Sequence, residues 1–455
     1  MGFVLSILYV LTYYLTPTVL FGSLAEYRIE LILAGVIAVV SFPALRGSSV
    51  GKTAQLPALA GLAFATFMSV LVGASWVGGG LTVLLLFIPN AFAYVLVSLF
   101  CTTRRKLQIV ILMMLFVCLF VIGQGLAEMH RGLPTGLAAR EADMSNSYFI
   151  GQSNDQKEWI YRLRGQGQIN DPNDFAQLIV CTLPLMFFFW KKNRSVQNFF
   201  VVLVPVGILL WGAFLTHSRG SILALVAVLM MALRKRIGTV PSLVLAGLLF
   251  AGATATGYTG GRGISTTAGE DRTEFWGEGL ELLKAHPLFG VGFGNMPDYI
   301  GHTAHNSIVV CAAELGLCGL FFWSMFLFPT VRDSLVVAWP KNIIEKKTVA
   351  FSDTPFSLPP PGPTSLDEPD IRRLARLLVL SLTGFIVTGW FLSRSYILTL
   401  FLLGGLVEVT FQMALERGMV SPRLPLIRIL RYSGMMAIGL ILVMYITLRI
   451  VNLTH

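Results

Sequence analysis

The sequence predicts an all-α, polytopic integral membrane protein with about 12–13 transmembrane helices and two long loops on the side away from the cytoplasm. Three observations predict it. Of 455 residues, 55% are hydrophobic and 13% charged, whereas a soluble chain carries roughly 25% charged residues. Mean hydropathy is +0.72, and the apolar residues gather into runs long enough to cross a bilayer. The lysines and arginines concentrate in alternate turns, the bias that orients membrane proteins. That bias also explains the formal net charge of +10, so no nucleic-acid partner is inferred.

Apolar runs lie near 3–21, 29–45, 56–76, 79–100, 107–126, 173–190, 197–216, 220–233, 238–256, 306–328, 374–391, 395–415 and 433–451. The first has no positively charged leader and no small-residue cleavage site, so it is expected to remain as a helix. The run from Gly220 is short, and is tilted or joined to its neighbour. With the N-terminus cytoplasmic, the inner turns hold Arg46 and Lys52, then Arg104, Arg105 and Lys106. They next hold Lys191, Lys192 and Arg194, then Arg234, Lys235 and Arg236, and finally the stretches 329–373 and 416–432. The reverse orientation would put every tight basic cluster outside.

Four regions follow. Residues 1–126 form N-terminal transmembrane helices, and 127–328 form a core with outward loops 127–172 and 257–304. Residues 329–373 are a cytoplasmic linker containing Leu358-Pro359-Pro360-Pro361-Gly362-Pro363, an extended or flexible composition. Residues 374–455 are C-terminal transmembrane helices. No internal repeat is visible, so the inverted-repeat signature of many transporters is missing. Cys101, Cys118, Cys181, Cys311 and Cys318 all lie in or beside apolar runs. They read as small buried hydrophobes, with no disulfide framework or zinc pattern.

Polar motifs at the edges of the outward segments carry the chemistry. Thr216-His217-Ser218-Arg219-Gly220 sits in a short outward turn. An arginine there either snorkels or meets an anion. Its small neighbours and the helix start at Gly220 favour the anion, because free amides at a helix N-terminus and a planar guanidinium both suit phosphate oxygens. In the second loop, Glu274, Glu278 and Glu281 share one helical face, and Trp276, Leu280 and Leu283 share the other. This reads as an amphipathic helix on the membrane surface. Arg272 falls on the Trp276 side, where it either snorkels or reaches a headgroup.

Gly290-Val291-Gly292-Phe293-Gly294-Asn295 has no βαβ context, so a tight turn allowing close backbone approach replaces a dinucleotide-binding reading. His305 opens the next membrane helix and could take a proton near neutral pH. Asn306 beside it is either a helix cap or a substrate contact. His302 and His217 are spare candidates. Asp171-Pro172-Asn173-Asp174 reads as a regular helix start, and Arg162 and Arg164 before it add outward positive charge. Glu314 and Glu408, well inside membrane segments, could be proton-relay groups. No outward Asp-x-Asp pair is present, and no metal site is expected. A basic cluster on a lipid-embedded chain suggests handling of an anionic lipid headgroup, such as the diphosphate of a lipid-linked sugar.

Taken together, Gly167-Gln168-Ile169-Asn170-Asp171-Pro172-Asn173-Asp174-Phe175-Ala176, Ser218-Arg219-Gly220-Ser221, Arg272 with Trp276, Ala285 to Asn295, and His305-Asn306-Ser307 followed by Glu314, Gly316 and Gly319 resemble the O-antigen ligase and polymerase superfamily of bacterial membrane glycosyltransferases. The resemblance runs from Gly167 to Gly319. It implies a multi-pass protein of the bacterial inner membrane whose site faces the periplasm. It implies transfer of a glycan from undecaprenyl diphosphate to an acceptor hydroxyl on lipid A core, protein or another glycan, without metal, nucleotide or other cofactor. Arg219 and Arg272 would bind the diphosphate; Arg164 and Asn306, beside these motifs, are further candidate substrate contacts. His305 and Arg219 would be the catalytic pair. The proline-rich inner loop departs from the family pattern. A polymerase of the same superfamily, a secondary transporter or flippase relying on Glu314 or Glu408, and a non-catalytic envelope scaffold are the competing readings.

Overall fold

The computed structural model describes residues 1–20, 23, 29–46, 53–131, 147–153, 159–255, 266–339 and 366–454. Helices α1 (Gly2–Leu15), α2 (Ile29–Arg46), α3 (Gln55–Met68), α4 (Gly79–Phe100) and α5 (Arg104–Arg131) lead to the first long loop. Then come α6 (Pro172–Met186), α7 (Ser195–Leu215), α8 (Arg219–Ile237) and α9 (Thr239–Ala255). The second long loop contains α10 (Thr266–Ala285) and the short α11 (Met296–Ile300). Helix α12 (Ser307–Ala338) follows, and α13 (Glu368–Gly389), α14 (Leu398–Glu416) and α15 (Leu426–Thr454) complete the chain.

Every apolar run lies on a helix, and the protein is an all-α polytopic membrane protein. Among the described residues, 8 helices are both long and apolar enough to cross a bilayer. The segments Gly2–Leu15, Leu31–Leu45 and Thr239–Gly252 are apolar but shorter. Helices α8 and α13 carry charge in a terminal turn: Arg234, Lys235 and Arg236 in the last turn of α8, Glu368 and Asp370 in the first of α13. Both placements complement the helix dipole.

The centre of the bundle is α14, with 89% of its apolar window buried, against 17% for the peripheral α15. Helix α12 is nearly as central and is broken at Gly316 (φ 65°, ψ −164°). A continuous helix would bond Leu317 N–H to the Ala313 carbonyl and Cys318 N–H to that of Glu314. Instead Leu317 and Cys318 donate to the carbonyls of Pro287 (2.8 Å) and Leu288 (3.1 Å), and the freed carbonyls accept from Val291 (2.9 Å) and Gly292 (3.1 Å). All four groups opened by the break are thereby satisfied, as an apolar interior requires. The exchange needs bare backbone on both sides. A Cβ on Gly290 would collide with the main chain of Ala313 and Glu314, and one on Gly316 would lie 2.5 Å from the Leu288 carbonyl. The glycine motif and the Glu314–Gly316 motif are therefore one structural unit.

Turns that the charge pattern groups on one side meet at one end of the bundle. Arg162 Nε donates to the Thr216 carbonyl (2.8 Å), Trp276 Nε1 to that of Ala304 (2.8 Å), and His305 N–H to Ser393 Oγ (2.9 Å). At the opposite end Arg104 pairs with Asp370, Arg373 donates to the Trp190 carbonyl (2.8 Å), and Lys235 lies 4.1 Å over the Trp339 ring. Much of the first long loop (132–146 and 154–158), the start of the second (256–265) and the proline-rich stretch lie outside the described residues.

Two features differ from expectation. A two-stranded antiparallel hairpin, β1 (Phe149–Ser153) with β2 (Trp159–Leu163), stands in the first loop, Phe149 opposite Leu163. Both side chains are buried, and Leu163 sits against Gly125 of α5. Tertiary packing, which periodicity over five residues cannot reveal, makes this hairpin. The apolar stripe of α10 does not lie on lipid. Trp276, Leu280 and Leu283 are buried in the protein core, with Val309 of α12 directly against Gly279. The stripe has the same periodicity whether its partner is lipid or another helix.

Candidate functional site

Local devices hold several of the candidate residues at one end of the bundle. Asp171 caps α6, its Oδ1 accepting from Asn173 N–H at 2.7 Å, with Pro172 in the first turn. Ser218 caps α8, its Oγ accepting from Ser221 N–H at 3.4 Å. His217, just before it, takes φ +48°. Arg219 therefore occupies the first position of α8. Arg162, 5% exposed, ties that turn to the start of α6 by donating to Thr216 O and to Asn173 Oδ1 (3.0 Å).

His305 also has positive φ (+47°) and is fixed from both sides. Its N–H donates to Ser393 Oγ, and the preceding carbonyl of Ala304 accepts the Trp276 indole N–H. A non-glycine residue in this region costs free energy and persists only where its surroundings determine it. Asn306 caps α12: its Oδ1 accepts from the amides of Ile308 (2.9 Å) and Val309 (3.2 Å), and its Nδ2 donates to the Trp390 carbonyl (3.2 Å). Its amide is thus taken up by the fold next to His305.

The structure brings Arg272 into electrostatic range of both Arg219 and His305, and Asp171 into range of His305. Burial, then the charge of Arg219, lowers the Arg272 guanidinium pKa from its ordinary value. The surrounding protein, then Arg272, lowers that of the His305 imidazole, with Asp171 opposing and His302 adding to the effect. The neutral, proton-accepting form of His305 is thus favoured near neutral pH. His302 is engaged elsewhere, 3.0 Å from Glu278 and with its ring tilted against that of Phe275. Arg164 spans the first loop, donating to the carbonyls of Ser147 (3.1 Å) and Asn170 (3.4 Å). Burial lowers its pKa, against the raising effect of Glu128 and Asp171.

A cavity of about 340 Å³ lies under Ser393, the residue that accepts the His305 amide. Gln168, Phe293, Thr303, Glu314, Ser393 and Arg394 are among its lining residues. Arg394 had escaped the sequence reading. Its Nε and Nη2 both reach Asp174 Oδ2 (2.7 and 2.6 Å), and that carboxylate is 1% exposed. The signal was available, because Arg394 stands in a short turn between two apolar runs, as Arg219 does. Asp174, read as a plain first-turn acid, is in fact the buried partner of this arginine.

Glu314 accepts the backbone amides of Gly294 and Met296. Glu408 lies at the opposite end, paired with Arg423 and accepting from Gln412 (2.9 Å). Both carboxylates thus have structural partners. All five cysteines are free thiols, four buried and Cys318 partly so. Among the described residues no group of 3 or more His, Cys, Asp or Glu side chains could hold a metal ion.

Fold and site together define a multi-pass membrane protein with a cationic, histidine-bearing site at one end of its bundle. Residues 204–324 match the family described as O-Antigen ligase, and this match supports the resemblance to the O-antigen ligase and polymerase superfamily. The matched stretch contains Arg219, Arg272, His305, Asn306 and Glu314 but not Arg164, Asp174 or Arg394. No curated protein sequence matches the chain. The family match supports a membrane glycosyltransferase of the ligase or polymerase type, working on lipid-linked glycans and their acceptors.

Proposed function

We propose that the chain is a glycan ligase of the bacterial inner membrane, its site facing the periplasm, that moves a glycan from undecaprenyl diphosphate to an acceptor hydroxyl. The observation that carries this reading is the convergence of Arg219, Arg272 and His305, from three separate segments, at the end opposite the tight basic turns. Neighbouring guanidiniums repel each other and are stabilised by a shared anion, and a diphosphate can engage both forks.

The acceptor hydroxyl attacks the anomeric carbon of the donor sugar, and its proton passes to neutral His305. The bond from the anomeric carbon to the diphosphate oxygen breaks, and the lipid diphosphate leaves with the bonding pair. Negative charge grows on that leaving group, so fixed guanidiniums act more strongly on the transition state than on the ground state. Removing either would raise the barrier by about 3 kcal/mol, the scale of one preorganised oxyanion donor. Arg164 and Asn306, whose side chains engage backbone groups, serve by positioning the first loop and His305. No metal or cofactor is assigned a role.

The test is the lipid-linked glycan profile of a deletion strain complemented with wild type or Arg219→Ala. Long polymers accumulating on undecaprenyl diphosphate, cleared by wild type alone, support the ligase. Single accumulating repeat units would instead identify a polymerase, which shares the chemistry but takes another lipid-linked glycan as acceptor. Full complementation by Arg219→Ala would refute the transferase mechanism.

A further inference from the structure

We propose that the cavity under the 390–397 turn holds an uncharged sugar ring of the acceptor, and that Arg394, clamped by Asp174, orients its hydroxyls. The proposal rests on the transferase reading and adds a second compartment to the site. The compartment is joined to the His305 backbone: Ser393 Oγ accepts the His305 amide and donates to Thr303 Oγ1 at 2.9 Å, and both Ser393 and Thr303 line the cavity. Neither Arg219 nor Arg272 lines it. The cavity thus meets His305 through its backbone and lies outside the cationic compartment.

Size and lining fit a sugar. A volume of about 340 Å³ lies at the small end of ligand pockets, which run from about 300 to 1,000 Å³. The walls offer the hydroxyls of Thr303 and Ser393, the amide of Gln168, the carboxylate of Glu314 and the rings of Phe293 and Tyr396. Those rings stand 5.5 Å apart at 34°. Hydroxyl-bearing rings with apolar faces need this mixture of a few directed polar groups and aromatic surface.

Charge argues against a second phosphate site. The cation in this lining, Arg394, is already neutralised by Asp174 through two contacts to one buried oxygen. A guanidinium has five N–H donors, so Arg394 keeps donors beyond those on Asp174 for hydroxyl oxygens. Its side chain is 39% exposed, which leaves them reachable.

The chain order agrees with this assignment. Gln168 and Asp174 belong to the first motif, and Glu314 to the last. The cavity is where those motifs meet the 390–397 turn, which Ser307 pins by donating to the Leu392 carbonyl (2.7 Å) and accepting from Arg394 N–H (3.2 Å).

The experiment uses full-length protein in detergent, with lipid-diphosphate-linked glycan and acceptor lipid both extracted from the deletion strain. Michaelis constants are measured for each substrate with wild type, Arg394→Lys and Gln168→Ala. The second variant leaves the Asp174 ion pair intact and so covers misfolding of the first. The proposal expects Gln168→Ala to raise the acceptor KM at least about tenfold, the worth of one or two lost hydrogen bonds. Arg394→Lys should do the same, and the donor KM should stay near wild type in both. A rise confined to the donor KM would place the donor's own sugar in the cavity and overturn the proposal. Unchanged constants for a folded Gln168→Ala and Arg394→Lys would also overturn it, while the transferase reading would stand. Absence of transfer by wild type would remove that reading and this assignment together.

Discussion

Replacing Gly290 by alanine tests whether the glycine motif is the structural seam described above. Gly290 has φ +68°, and its added Cβ would press on the main chain of Ala313 and Glu314 rather than on a yielding side chain. The left-handed backbone costs an L-residue about 1–2 kcal/mol. Relieving the collision means parting the seam, which loses the Val291 and Gly292 bonds to the Ala313 and Glu314 carbonyls. A buried carbonyl left unmatched costs about 1–2 kcal/mol, so the total is roughly 3–6 kcal/mol. Gly277→Ala is the control. Gly277 lies inside α10 with no atom within 4 Å of a built Cβ, so alanine there should stabilise by about 0.5–1 kcal/mol. Thermal unfolding in detergent, followed by tryptophan fluorescence, should show Gly290→Ala melting well below wild type and Gly277→Ala at or above it. A Gly290→Ala protein that melts with wild type would refute the reasoning and return the motif to the status of an ordinary loop.

Two further outcomes follow from the site. Arg272→Gln removes a charge that lowers the His305 pKa; that pKa rises, and the acid limb of the kcat/KM profile moves to higher pH, alongside a loss of about a hundredfold in rate. An unmoved limb would show that His305 is not the titrating base. Trp276→Phe keeps the ring but loses the hydrogen bond to the Ala304 carbonyl, costing about 1 kcal/mol and loosening His305; unchanged stability together with unchanged turnover would mean the indole bond does not hold that residue.

Helix positions were legible because each span must bury its backbone bonds within one long apolar run. Alternating charge grouped the turns in the way the contacts now show. Arg219 and Arg272 stand out in the sequence because charged residues at the edge of lipid are costly, whereas His305 stands out through the family resemblance; the roles of all three are part of the proposal. What the sequence hid is tertiary. The α10 stripe has one periodicity whether it faces lipid or Val309, and only the packed structure decides between them. The hairpin at 149–163 is too short to announce itself. Asp174 carried a sufficient local explanation, a helix start, which concealed its buried bond to Arg394 two hundred residues on. Asn306 was left open between cap and contact, and its three backbone partners show the cap.

The most direct test of the central claim is glycan transfer by the purified protein from undecaprenyl-diphosphate-linked glycan to acceptor lipid, with Arg219→Ala and His305→Ala assayed beside wild type and each protein's fold verified by thermal unfolding. The account predicts transfer by wild type, with each variant folded yet slower by about two orders of magnitude or more. Folded variants that transfer at the wild-type rate would contradict it.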